Sequence, residues 1–170
     1  MKKSIIILTF LLVLVGCNST SEEQLQLDNY YATIETILDN KVDNLEVPFN
    51  YKMNVGYDEE SKLYEYTIII DKPQEAMYDI EALAIDKKQN LKKDIFPSIG
   101  IFDEKATNMV PNQTNKKKGF AAGIVLNGTT KEEEFTINLK VSWKNEKKEQ
   151  KDVYIRLVNL AINDDSIVEE

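Results

Sequence analysis

Residues 135–144 read FTINLKVSWK, and this stretch decides the class of the fold. Apolar and polar side chains alternate along it without a break. The apolar set is Phe135, Ile137, Leu139, Val141 and Trp143. Successive side chains of a β-strand point to opposite faces of a sheet, so a period of two is typical of a strand. The stretch therefore predicts a strand with one face on a hydrophobic core and polar residues on the other.

Two further strands are predicted on either side of this stretch. Residues 119–126 precede it, and the pair Asn127-Gly128 that follows them is a strong signal for a tight turn. After a polar turn, residues 153–158 form a short apolar run. These segments predict three consecutive strands in the second half of the chain.

Four more strands are predicted in the first half of the chain. Residues 47–57 and 64–70 alternate on either side of the polar turn 58–61, which is typical of an antiparallel hairpin. Residues 77–86 predict a third strand, although the residues at its start also fit the beginning of a helix. Residues 97–103 predict a short, Ile-rich fourth strand.

A helix is predicted before these strands. Ser21 and Gln24 have the spacing of a capping box, in which the first side chain accepts a hydrogen bond from the helix N-terminus. A helix over about 22–39 follows from apolar residues at spacings of three and four. These residues are Leu27, Tyr30, Ile34, Ile37 and Leu38. We expect this apolar stripe to pack on the following domain, and a partner helix is the alternative.

Seven short strands without intervening helices predict a mainly β fold, an antiparallel β-sandwich. The predicted sandwich occupies residues 45–160, after a helix and linker at 22–44 and before an acidic tail at 161–170. It resembles immunoglobulin-like (Ig-like) domains in strand count and strand length only. The cysteine pair of true immunoglobulin domains is missing, and Trp143 falls on the sixth strand instead of the third.

The N-terminus has the pattern of an export signal. Lys2 and Lys3 give a positive start, and residues 5–15 are apolar except for Thr9. A helix of these 11 residues would be about 16 Å long, well short of a hydrocarbon core of about 30 Å. Residues 1–16 are therefore interpreted as a cleaved signal peptide and not as a permanent span.

The end of this segment, Leu14-Val15-Gly16-Cys17, resembles the lipobox of bacterial lipoprotein precursors. Small Gly16 suits a tight cleavage pocket, and branched Leu14 suits an apolar subsite. The resemblance implies that the Cys17 thiol receives a diacylglycerol group and that a peptidase cuts just before it. Residues 17–21 would then be a lipidated tether on the outer face of the cell membrane. Frequent Lys, Asn and Ile suggest a Gram-positive source.

Composition excludes several classes of function. The 170-residue chain contains no histidine, and Cys17 is its only cysteine, so catalytic triads with histidine and the usual zinc sites are excluded. Loss of Lys2 and Lys3 leaves 19 basic against 29 acidic residues, a net charge of −10, which suits nucleic-acid binding poorly. No nucleotide-binding or hydrolase motif occurs. We predict no catalytic, cofactor or metal residues.

Clusters of charge leave two kinds of site open. The acidic clusters 58–60, 103–104, 132–134 and 164–165 could donate oxygens to calcium, but none matches an EF-hand loop. Three groups of lysines could attract anionic envelope polymers or lipid head groups, although solubility and edge protection explain them as well. These lysines are Lys87, Lys88, Lys92 and Lys93, then Lys116, Lys117 and Lys118, and then Lys144, Lys147, Lys148 and Lys151.

The sequence alone thus predicts a membrane-anchored, non-enzymatic module that binds a protein or an envelope component through its loops. A receptor for a small ligand or ion is the alternative, and it needs a formed pocket of about 300–1,000 Å³. Tyr57, Tyr64, Phe96 and Phe102 are its candidate contact residues, although each also fits core or edge packing. A carboxylate-based cell-wall hydrolase is a third hypothesis.

Overall fold

The computed structural model describes residues 21–40, 46–91 and 94–161. The predicted signal peptide, the tether up to Thr20 and residues 162–170 of the acidic tail lie outside the described residues. The residues with a predicted role in export or lipidation, Leu14, Val15, Gly16 and Cys17, are therefore outside the described residues. Lys92, Lys93, Asp164 and Asp165 lie outside them as well.

One helix and seven strands form the described part of the chain. They are α1 (Glu22–Asp39), β1 (Asn50–Asp58), β2 (Leu63–Asp71), β3 (Tyr78–Asp86), β4 (Ser98–Ile99), β5 (Gly123–Thr130), β6 (Phe135–Lys144) and β7 (Gln150–Asn159), with a short 3₁₀ helix at Lys116–Lys118. The strands form two antiparallel sheets, ordered β1-β2-β5 and β4-β3-β6-β7. The predicted mainly β fold with seven strands in two antiparallel sheets is confirmed.

The two sheets share a hydrophobic core. The alternation in β6 is confirmed, since all five of its apolar side chains are buried in this core. Tyr66, Ile68 and Ile70 of β2 face them from the other sheet. β1 follows its alternation less completely because it is an edge strand, and Tyr51 and Tyr57 near its two ends are exposed.

The predicted turn at Asn127-Gly128 is wrong. Both residues lie inside β5, where Asn127 pairs with Thr67 and Gly128 pairs with Tyr66 of β2. A Cβ atom on Gly128 would overlap the ring carbon Cζ and the hydroxyl oxygen of Tyr66. Glycine is therefore present for the close approach of an aromatic ring across the sheet and not for a turn.

Several strand boundaries also differ from the prediction. β1 begins at Asn50 instead of 47 and β7 begins at Gln150 instead of 153, and the largest differences are in β5 and β4. The strand predicted at 119–126 begins only at Gly123 and continues to Thr130, because Gly119 has φ +76° at the end of the 3₁₀ helix. The strand predicted at 97–103 is reduced to Ser98–Ile99. Gly100 has φ +80°, which takes the backbone out of the extended conformation directly after β4.

α1 covers part of the outer face of the four-stranded sheet. The N-cap half of the predicted capping box is confirmed, because the Ser21 hydroxyl accepts a hydrogen bond from the Gln24 amide at 3.2 Å. The Gln24 side chain instead donates to the Asp28 carboxylate at 2.8 Å. A second hydrophobic cluster joins helix, sheet and the loop after β3, and it contains Tyr30, Ile34, Ile37, Leu83, Ile85, Phe96 and Ile101. The apolar stripe thus packs on the following domain, as predicted, and β3 is buried on both faces.

Candidate functional site

The outer face of the four-stranded sheet contains an open groove beside the C-terminal end of α1. Its volume is about 520 Å³. The helix covers Leu83 and Ile85 of β3, and its C-cap at Asn40 marks where the covered part of the face ends. The groove is lined by Asn40, Asp86, Lys87, Lys88, Thr136, Asn138 and Arg156.

The floor of the groove comes from the polar half of the β6 alternation. Asn138 pairs with Ile85 of β3 on one side and with Arg156 of β7 on the other, so these three side chains lie in one row across the sheet. Thr136 lies two residues earlier on the same face. The pattern that buries Ile137 in the core therefore also places polar groups on the opposite surface.

One wall of the groove is fixed by a buried carboxylate at the end of β3. Asp86 is only 1% exposed, and its side chain accepts hydrogen bonds from the Lys88 amide at 2.9 Å and from the Thr130 hydroxyl at 3.3 Å. The Lys88 ammonium donates to the Glu134 carbonyl at 2.9 Å. Asp86 and Lys88 thus tie the loop after β3 to the connection between β5 and β6.

Four other lining side chains have no partner among the described residues, namely the Thr136 hydroxyl and three groups that carry nitrogen donors. Neither the Lys87 ammonium, the Asn138 amide nor the Arg156 guanidinium makes a hydrogen bond or an ion pair there. Asn138 is only 5% exposed, yet the described part of the chain contains no fully enclosed side-chain polar atom without a partner. Its amide atoms therefore retain contact with the solvent of the groove. Three nitrogen donors and the Thr136 hydroxyl, all without a partner among the described residues, line one site.

A second groove of about 400 Å³ lies on the other side of Asp86 and contains the carboxylates of Asp94 and Glu132. The Asp94 carboxylate accepts a hydrogen bond from the Asn90 amide at 2.8 Å, so it stabilises its own loop. Within the ranges that the structure describes, no three potential metal-ligating side chains come together. Lys131 and Glu132 of the second groove also have no side-chain partner among the described residues, but its three carboxylates outnumber its two lysines. The second groove therefore has no surplus of positive charge.

Two of the three described acidic clusters, 58–60 and 103–104, cap turns, whereas 132–134 contributes backbone carbonyls as acceptors. The Asp58 carboxylate accepts hydrogen bonds from the amides of Glu60 and Ser61, and hydrogen bonding, first from the Ser61 side chain, lowers the pKa of Asp58. The Asp103 carboxylate accepts a hydrogen bond from the Gly100 amide at 2.7 Å. These contacts agree with the turn chemistry of aspartate.

No protein-family model matches the chain, and no curated protein matches it. Several solved structures are similar to it, and two of them are structural genomics targets. One is structural genomics target SoR45, at 15% identity and a TM-score of 0.39, covering 70% of this chain and 95% of its own. The other is a Bordetella pertussis protein given the name ApaA, at 11% identity and a TM-score of 0.37, covering 68% of this chain and 97% of its own. Both TM-scores are below 0.5, so neither likeness bears on function.

The remaining lysine groups lie away from the groove. Lys116, Lys117 and Lys118 form the exposed 3₁₀ helix. The Gly119 carbonyl after it accepts a hydrogen bond from the Asn108 amide, and the Asn108 side chain accepts one from the Asp79 amide. Asp79 lies at the start of β3, whereas the groove lies at its end. Lys144 and Lys151 pair with Asp79 and Glu149, at 2.9 and 3.7 Å. Hydrogen bonding to Asp79 raises the pKa of Lys144. Of the described lysines in the three predicted groups, only Lys87 and Lys88 line the groove.

The four aromatic residues proposed as ligand contacts are not brought together. Tyr57 and Tyr64 form a cross-strand pair with ring centroids 4.8 Å apart, at the edge of the three-stranded sheet. Phe96 is buried under the helix, and Phe102 packs on Tyr30 with ring centroids 5.3 Å apart. Sequence reasoning missed Asn138 and Arg156. The available signal was that Arg156 is the only arginine of the chain.

In the described part of the chain, no helix has the length and apolar character needed to cross a membrane. α1 is amphipathic and begins with Glu22 and Glu23 in its first turn. The helix thus belongs to the domain surface on which it packs.

Proposed function

We propose that this protein is an exported lipoprotein that binds an anionic group of an envelope component, without enzymatic chemistry. The pattern of residues 1–17 supports the export and the anchor: a positive start, a short apolar segment and a small residue before Cys17. Acyl chains on Cys17 would hold the domain at the outer face of the cell membrane, because each buried CH₂ contributes about 0.8 kcal/mol.

A single observation supports the binding role, namely a groove in which three nitrogen donors and the Thr136 hydroxyl have no partner among the described residues. The Arg156 guanidinium presents a planar fork that matches the two oxygens of a carboxylate or phosphate. The Lys87 ammonium adds a second positive charge, and the Asn138 amide adds a neutral donor on the floor. On a chain of net charge −8, such a local surplus of positive charge favours an anionic ligand.

The ligand is a repeating group of a polymer in this proposal. The groove is open and its cationic side chains are exposed, so salt screens each contact and one anionic group binds weakly. Many anchored copies along one polymer raise the overall affinity without any further contact. A small anionic ligand is the second candidate, because about 520 Å³ lies within the usual volume range of ligand sites.

The proposal includes an Ig-like architecture for the sandwich. The order β1-β2-β5 in one sheet matches strands A, B and E of an immunoglobulin domain, and β3-β6-β7 in the other matches C, F and G. The difference is β4, which pairs with β3 instead of joining the first sheet as strand D does. In this class of domain, binding surfaces lie in the loops and edges outside a filled core.

Capture from cross-linked membranes tests the binding role. The intact lipoprotein should retain an envelope polymer that the double variant Lys87→Gln/Arg156→Gln retains several-fold less. Lys116→Gln/Lys117→Gln is the matched control, because it removes the same charge at the opposite end of β3. Equal retention by the two double variants would assign the effect to net charge and contradict the groove.

Two further measurements test the remaining parts of the proposal. Mass spectrometry of the mature N-terminus should find the mass of an acyl group on Cys17, and Cys17→Ala should abolish both that mass and membrane retention. Incubation with peptidoglycan and wall glycans should release no fragments. Released fragments would favour a carboxylate-based hydrolase instead.

A further inference from the structure

Apolar side chains surround Tyr30 on the surface of the domain. We call Leu27, Tyr31, Ile95 and Phe102 the Tyr30 patch; they are 37%, 47%, 87% and 41% exposed, respectively. The Tyr30 ring contacts the rings of Tyr31 and Phe102, with centroids 5.5 and 5.3 Å apart. Leu27 and Tyr31 are four residues apart on the helix and therefore share a face.

Ile95 belongs to the same patch because its loop is held against the helix. The Phe96 amide donates a hydrogen bond to the Tyr30 hydroxyl at 2.8 Å, and the Phe96 ring is buried in the cluster below. The side chain of Ile95, the preceding residue, is left almost fully exposed. Contiguous exposed apolar groups of this kind mark an interaction surface more often than scattered single ones do.

The position of the patch relative to Cys17 indicates what covers it. Four residue steps separate Cys17 from Ser21, which allows at most about 14 Å of extended chain. From Ser21, the helix reaches Tyr31 after ten residues, or about 15 Å. An acyl anchor on Cys17 therefore keeps the Tyr30 patch within about 30 Å of the lipid that holds it.

We infer that the Tyr30 patch rests on the surface of the bilayer that anchors Cys17, an inference that depends on the lipidation in the proposed function. Tyr31 has an apolar ring with a polar tip, which suits the boundary between head groups and acyl chains. Leu27, Ile95 and Phe102 bury apolar area there. The anchor supplies most of the membrane affinity, so the patch only needs to orient the domain.

The charged residues near the patch affect which lipid head groups it can approach. Glu22, Glu23 and Asp28 lie on the same half of the helix as the patch, and anionic head groups repel them. The affinity of the patch therefore comes from apolar burial and not from attraction to anionic head groups. The groove lies beside Asn40 at the other end of this 18-residue helix, about 27 Å from its start. The contact thus leaves the groove accessible to envelope components.

A single introduced cysteine tests the contact. Cys17 is the only cysteine of the chain and is consumed by the lipid, so an environment-sensitive dye on Ile95→Cys labels one site. Val125→Cys is the control, because Val125 is exposed on the outer face of the three-stranded sheet. The lipidated protein is bound to phosphatidylcholine vesicles that contain a spin-labelled lipid. We expect several-fold stronger quenching at residue 95 than at residue 125, and weaker quenching with added phosphatidylglycerol.

The other outcomes are distinguishable from this one. Equal quenching at the two positions, on protein that co-sediments with the vesicles, overturns the membrane contact and leaves the lipid anchor intact. No co-sedimentation removes the anchor and both proposals with it. A blue shift at residue 95 that depends on protein concentration and needs no vesicles assigns the patch to a second copy. Phe102→Ser should reduce quenching at residue 95 without a change in co-sedimentation.

Discussion

The two faces of the four-stranded sheet have different roles, although the same strands form both. The inner face buries Ile137 and Leu139 completely against the other sheet. The outer face is divided: α1 covers Leu83 and Ile85, while Thr136 and Asn138 line an open groove. The periodicity of β6 determines which residues share a face, but it does not determine what covers that face.

This difference separates stability from binding. An apolar face must be covered, and burial of each large side chain contributes roughly 1.5–3 kcal/mol. A polar face that stays open to water costs little free energy, because water satisfies its donors. Such a face can therefore keep donors that are available to a ligand. Changes on the inner face should therefore affect unfolding, and changes around the groove should affect binding.

The largest expected effect is on the inner face. Ile137→Ala removes a fully buried side chain from the centre of the core, and we expect the free energy of unfolding to fall by about 3 kcal/mol. Denaturant unfolding followed by the fluorescence of Trp143 measures this change. Val158→Ala is the control: Val158 pairs with Thr136 on the outer face, is half-exposed, and should cost at most about 0.5 kcal/mol. Similar losses in both variants would contradict the distinction between the faces.

The next largest effect concerns the contact between neighbouring strands at Gly128. Gly128→Ala places a methyl group where the Tyr66 ring lies, so the ring must shift, at a cost of about 2 kcal/mol. In a double-mutant cycle with Tyr66→Leu, the cost of the alanine should fall by at least half, because the overlapping ring atoms are then gone. Additive losses would show that Gly128 serves the backbone of β5 and not the ring.

Strands with one buried face could be predicted from the sequence, because their pattern depends on local alternation. β6 is the clearest case, and its predicted boundaries agree with the observed ones. The helix is a second case, since the Ser21 cap and the apolar stripe are both local features. The mainly β class and the two antiparallel sheets follow from such segments.

Features that depend on distant residues could not be predicted. The Asn127-Gly128 pair has the composition of a turn, and only the Tyr66 ring from another strand explains its place in β5. The groove depends on where the helix ends above the sheet, which the apolar stripe does not specify. Asn138 and Arg156 come together only through the pairing of β6 with β7.

A smaller effect tests how the helix is held on the outer face. Tyr30→Phe removes the acceptor for the Phe96 amide and leaves that donor unpaired in a buried site, so we expect a loss of about 1 to 2 kcal/mol. Hydrogen exchange should then be faster at the Phe96 amide and in α1, and unchanged in β6. Uniformly faster exchange would instead mean that the two faces unfold as one unit.

Alkaline pH should reduce stability through the core between the two sheets. Burial, and secondarily the charge of Asp86, raises the pKa of Tyr66 well above its ordinary value of about 10. The unfolded chain releases this proton first, so the contribution of Tyr66 is fully present below pH about 10 and is lost as the pH rises above it. The loss is about 1.4 kcal/mol per pH unit. Unfolding at stepped pH should show a shallower slope for Tyr66→Phe, and equal slopes would contradict the assignment.

The smallest effect is at the start of the helix, the element that makes the two halves of the outer face different. Ser21→Ala removes the side-chain acceptor for the Gln24 amide and should cost about 1 kcal/mol or less, because this end is exposed to water. The loss should appear as fraying of the first turn of α1, detected by hydrogen exchange, with the buried Ile34 and Ile37 unaffected. Ser21→Asp is the matched control, since aspartate caps as well as serine and should restore protection. A loss of protection as far as Ile37 would mean that the cap, and not packing on Leu83 and Ile85, holds the helix beside the groove.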